Sequence, residues 1–120
     1  MWPEQKGGRF RGPVKRKGTK SGYSFGVEAR IEKPRFFRDR LVYYQSKMIT
    51  EQLRRGHRYG LLRPAYCVGI CNFAVLPELP GYIHHIELRE ATTGMLFTDL
   101  ENIVIIELSK MPREDDGNKA

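Results

Sequence analysis

No aspartate occurs before Asp39, no long apolar run is present, and the chain holds only two cysteines. Each scarcity excludes something. A helical membrane span needs about 18 consecutive apolar residues, so none is expected. The N-terminus is basic but has no apolar stretch behind it, which excludes a secretory signal. Cys67 and Cys71 fall within one predicted strand, which holds them about 13 Å apart at the usual rise and forbids a disulfide. They are expected to be reduced core residues of a cytoplasmic protein.

What is present is positive charge, unevenly placed. Residues 1–40 hold 12 Lys/Arg against 4 Asp/Glu, whereas residues 41–120 hold 9 against 10. A positive segment ahead of a near-neutral body points to a polyanionic partner, most simply nucleic acid. The chain of 120 residues divides into a basic, disordered segment (1–21), one modest domain (22–111) and a polar tail (112–120). In residues 1–21 glycine, proline and lysine crowd out apolar periodicity.

Tyr23 to Glu32 alternates strictly, as a strand does. Tyr23, Phe25, Val27, Ala29 and Ile31 share one face; Ser24, Gly26, Glu28, Arg30 and Glu32 share the other. Glu28 and Arg30 therefore point the same way, about 7 Å apart along the strand. A carboxylate and a cation at i and i+2 of one strand is the arrangement by which metal-dependent nucleases present a metal ligand and a positive group. Such a site needs a second carboxylate, and no aspartate lies upstream. Lys33-Pro34 stops the strand. Phe36–Arg55 is predicted helical, with Phe37, Leu41, Tyr44, Met48 and Gln52 in one stripe, widened by Ile49 and Leu53. Ala65–Phe73 reads as a strand buried on both faces, Tyr82–Arg89 as a further strand, Met95–Thr98 as its hairpin partner and Asn102–Leu108 as a last strand. His84 and His85 face opposite ways and cannot chelate one metal together.

Further residues add a pattern: Arg40, Tyr43, Tyr44 and Lys47 on the helix; then Gln52, Leu53, Gly56 and Tyr59; then Leu62, Pro64 and Phe73; then a His before Leu88-Arg89; then Glu107-Leu108-Ser109-Lys110. In this order they resemble the PD-(D/E)XK nuclease family transposases, also called the recombination-promoting nuclease (Rpn) family. The likeness covers about Gly22 to Met111. It implies an α/β fold: a restriction-endonuclease-like mixed sheet with a flanking helix, incomplete at the N-terminus, as in the C-terminal part of a truncated member. It also implies Mg²⁺-dependent cleavage of DNA in recombination of a mobile element, with DNA as partner, no membrane and no small-molecule cofactor.

Carried over residue by residue, Glu28 falls on the family's metal-binding and catalytic glutamate and Arg30 on its Gln/Lys position. Tyr43, Tyr44 and Lys47 then line the cleft. The family's other metal-binding aspartate, on the preceding strand of a hairpin, has its register near Val14-Lys15. A lysine there reverses the charge that Mg²⁺ needs, and Arg30 stays protonated and cannot act as a base. A catalytically impaired enzyme is expected. Lys15, Arg16, Lys17, Lys20 and Arg40 are the candidate phosphate contacts. Two rivals are an active divergent nuclease, in which Asp39 or Glu32 supplies the second carboxylate, and a non-catalytic nucleic-acid-binding or partner module resting on the basic N-terminal segment.

Overall fold

The computed structural model describes residues 13–15 (backbone), 23–53 and 58–112. Five strands form one mixed sheet in the order β1-β2-β3-β5-β4, with a single long helix, α1, among the described residues. The strands are β1 (Pro13–Lys15), β2 (Ser24–Arg30), β3 (Ala65–Cys71), β4 (Ile83–Arg89) and β5 (Leu96–Glu107); α1 spans Phe37–Thr50. β2, β3 and β5 run parallel, while β1 and β4 are antiparallel at the two edges. A parallel neighbour requires a crossover, and α1 supplies it between β2 and β3.

The helix covers one face of the sheet. Phe37, Leu41, Tyr44 and Met48 pack on Ala65, Cys67, Cys71, Ile103 and Ile105, the stripe that the 3.6-residue period predicts. Its start is irregular: Phe36 precedes it in the left-handed region (φ 56°) with no side-chain cap. Arg38 ties the first turn to the loop after β3, its Nε and Nη2 donating to the Val75 carbonyl at 3.1 and 2.8 Å.

The predicted helix runs too long. It ends at Thr50, and the Gln52 side chain leaves the stripe to clasp the Arg63 backbone, donating to the carbonyl at 2.8 Å and accepting from the N–H at 2.7 Å. Two backbone groups of the loop before β3 are satisfied that way. Arg54, Arg55 and Gly56, expected to stop the helix, lie outside the described residues. β3 is shorter than predicted, and its burial alternates rather than being complete on both faces. The side chains of Tyr66, Val68 and Ile70 stay half-exposed because no described element packs on the far face.

The last two predicted strands are one. β5 runs twelve residues from Leu96 to Glu107, irregular only opposite Glu87–Arg89, where its pairing steps from Asn102 to Thr98 and then Leu96. The predicted turn forms with Gly94 at φ 82°, a conformation open to glycine at little cost. The Glu90 carboxylate accepts from the N–H groups of Thr92 and Thr93 at 3.1 and 2.7 Å and organises the turn.

Candidate functional site

In β2 the helix covers the polar set of the alternation. Glu28 pairs with Gly69 of β3, which pairs with Ile105 of β5; Arg30 pairs with Cys71, which pairs with Glu107. These two rows of the sheet lie beneath α1. Glu28 is 1% exposed, and the Nε of the buried Arg30 side chain stands 3.7 Å from its carboxylate. The i, i+2 placement read from the sequence therefore becomes a buried ion pair. Phe25, Val27 and Ala29 take the opposite face, where the Phe25 and Tyr66 rings meet at a tilt, 6.1 Å between centroids.

With about 100° per residue, Arg40, Tyr43, Tyr44 and Lys47 run down one flank of α1, and Val42, Gln45 and Ile49 down the other. The second flank faces β4 and β5, where Val42 and Gln45 line a groove with Ile86, Leu88 and Ile103. The first flank is turned toward β2. There Asp39, Arg40, Tyr43 and Tyr44 line a shallow depression. Lys47 is partly exposed, 6.0 Å from the Tyr43 ring centroid, and ion-paired at 3.4 Å with Glu51 one turn on. Lys47, Arg40 and the β2 pair thus belong to one side of the molecule, with Lys47 at its solvent margin.

Lys15 lies in β1, whose antiparallel register sets Val14 against Phe25 and Lys15 against Ser24. Arg16, Lys17 and Lys20 fall outside the described residues.

Do these residues suit Mg²⁺? Magnesium is held by one or two carboxylates with waters and substrate oxygens around it. Among the described residues no three His, Cys, Asp or Glu side chains come together in a way that holds a metal ion. Glu32 and Asp39, the two alternative carboxylates, are exposed, whereas Glu28 is buried. A guanidinium beside Glu28 adds repulsion for a dication. The described donor set does not fit Mg²⁺. Nor do the cysteines offer a nucleophile: burial first, and the Glu28 carboxylate second, push the Cys67 thiol up to about 12. Cys71 is likewise pushed up to about 12 by burial, then by Glu107 and Glu28. Thiols at that level stay protonated and inert. Both are free and buried, as their spacing implied.

The sequence assigned no role to two buried polar residues. Gln45 is 2% exposed, with neither end of its carboxamide hydrogen-bonded. Its spacing from Leu41 and Met48 was a signal that it belongs to the buried stripe. Glu107 is the second, at the far end of the same polar row. Its carboxylate accepts from the Val75 and Leu76 N–H groups at 2.7 Å each, from His84 Nε2 at 2.9 Å and from Lys110 Nζ at 2.6 Å. Lys110 also donates to the carbonyls of Leu76, Leu79 and Gly81. Burial disfavours the charge on Glu107, but the Leu76 N–H, Lys110, the Val75 N–H and His84 outweigh it and hold the carboxyl down to about 2. His84 faces the helix-covered side and bonds Glu107; His85 faces the other and bonds Asn102 at 2.8 Å.

Compared with known proteins, residues 14–120 match the model of the PD-(D/E)XK nuclease family transposases. The mixed sheet with its flanking helix is consistent with a restriction-endonuclease-like fold. No curated protein and no solved structure matches the chain. No described helix is long and apolar enough to cross a membrane.

Proposed function

The chain belongs to the PD-(D/E)XK nuclease family transposases, and from that premise we propose that it engages DNA with phosphodiester cleavage impaired. The observation that carries this reading is the buried Glu28–Arg30 pair. Nucleases of this family generally use divalent metals, and a carboxylate neutralised by an adjacent guanidinium is a poor first ligand for one. A guanidinium does not move a proton as a base does, and this one is buried against Glu28.

DNA binding rests on charge. Lys15, Arg16, Lys17 and Lys20 lie in the strongly positive part of the chain, and Arg40 lies on the α1 flank turned toward β2. Contacts of this kind are salt-sensitive and indifferent to base sequence. The same charge asymmetry supports a second reading, a binding module with no hydrolytic role, in which the basic segment acts alone.

Plasmid nicking in Mg²⁺ and DNA binding across a salt series test both. The expected result is no nicking above background, the same in Glu28→Ala. Replacing Lys15, Arg16 and Lys17 together by Gln is expected to reduce the salt slope of DNA binding by about 2 to 3. Metal-dependent nicking that Glu28→Ala abolishes would overturn the impaired reading. Binding lost through Arg40→Gln but untouched by the triple change would overturn the basic-segment reading.

A further inference from the structure

The two edges of the sheet are built differently. Among the described residues β1 runs from Pro13 to Lys15, and proline and lysine both discourage pairing with another strand. β4 has none of these devices. It is seven residues long, Ile83-His84-His85-Ile86-Glu87-Leu88-Arg89, without proline or lysine. The irregular residues opposite it belong to β5, so β4 itself is continuous. Ile83, Ile86 and Leu88 are 56%, 40% and 41% exposed. Ile86 and Leu88 also form the outer wall of the groove beside α1, about 220 Å³ in volume, with Val42 and the buried Gln45 on its inner side.

We propose that β4 pairs antiparallel with β4 of a second copy across a two-fold axis at Ile86, joining the two sheets into one.

The strand itself selects this partner and this register. A two-fold axis perpendicular to the sheet sets directly opposed residues on the same face, so the axis passes through one residue position. Ile86 is the midpoint of Ile83–Arg89, and centring there lets all seven residues pair. His85 then stands opposite Glu87 of the second copy, and Glu87 opposite its His85. On the helix-covered face Ile86 meets Ile86, and Leu88 meets His84. Centring on His85 sets histidine against histidine. Centring on Glu87 sets glutamate against glutamate and His85 against Arg89. Centring on Leu88 pairs Glu87 with Arg89 but runs the strand into the turn at Ala91–Thr93. Glu87 is already held by Arg89 and His85 by Asn102, and the midpoint register is the one that combines full length with no like charges or like side chains opposed except Ile86 at the axis. The second copy's Ile86 and Leu88 also cover the outer wall of the groove, removing apolar surface from water.

Sedimentation velocity of the full chain over a concentration series tests this, with far-UV circular dichroism confirming that each variant is folded. The expected result is a concentration-dependent dimer. Ile86→Lys, which sets ammonium against ammonium at the axis, is expected to leave a folded monomer. Glu87→Lys is expected to raise the dimer dissociation constant about tenfold, and adding His85→Glu to reverse that, because a carboxylate then faces each ammonium. A wild-type chain that stays monomeric would overturn the proposal and leave the edge to an extended strand of another protein. So would a dimer that survives Ile86→Lys but is lost in Val27→Lys, which assigns the contact to the open sheet face.

Discussion

Two buried glutamates lie beneath or beside α1 on neighbouring parts of one sheet, and they are held in opposite ways. Glu107 receives four donors within 2.6–2.9 Å: two backbone N–H groups, His84 and Lys110. Glu28 has the Arg30 guanidinium 3.7 Å away, beyond hydrogen-bond length. A carboxylate saturated by short, charge-assisted bonds is committed to structure. Through it the end of β5 clamps the loop after β3, which in turn receives Arg38 from α1. The Glu28–Arg30 pair joins two residues of one strand and lies on the side of the molecule that carries Arg40 and Lys47. Burial alone did not separate a structural acid from a candidate functional one; the Glu107 bonds reach a distant loop, whereas Glu28 pairs with a neighbour on its own strand.

The sharpest way to break the comparison is to remove each acid. Glu107→Ala leaves Lys110, His84 and two N–H groups without their acceptor, and is expected to cost about 3–5 kcal/mol in denaturant unfolding. Glu28→Gln keeps the volume and an acceptor beside Arg30, and is expected to cost less than Glu107→Ala. Equal losses would erase the distinction.

Acid titration gives a smaller effect with a definite sign. Because folding holds the Glu107 carboxyl near 2, below its ordinary 4.5, the folded state binds fewer protons there than the unfolded state. Its contribution is complete above about pH 4.5 and is lost as pH falls toward 2. Thermal melts between pH 5 and pH 2 are therefore expected to show a falling limb that flattens in Glu107→Gln.

The smallest effect belongs to the flank of α1 nearest Glu28. Lys47 and Glu51 form a partly exposed i, i+4 pair at 3.4 Å. Lys47→Ala is expected to leave stability unchanged within the error of a denaturant melt. A larger loss would show that Lys47 helps hold the helix in place, which would bring this side of the molecule closer to the Glu107 cluster in character.

Much of this was legible beforehand, and the residues say why. Phe37, Leu41, Tyr44 and Met48 recur at helical spacing, so α1 and its buried stripe could be read directly. Gln52 fits the same spacing but leaves the helix for Arg63, a bond to a residue eleven positions away that local pattern does not reveal. Glu107 and Lys110 were noticed as a motif, yet their role depends on Val75 and Leu76, thirty-two and thirty-one residues distant from Glu107. The merging of two predicted strands into β5 depends on β4 continuing to pair across its irregularity.

Sequence alone determined the family, the strand carrying Glu28 and Arg30 on one face, and the positive bias of residues 1–40. Tertiary structure decided which face of that strand is covered. Alternation sorts side chains to two sides, but the side on which a helix returns between parallel strands follows from the handedness of the crossover. Here the helix returned over the acid and the arginine, and a surface-looking pair became a buried one.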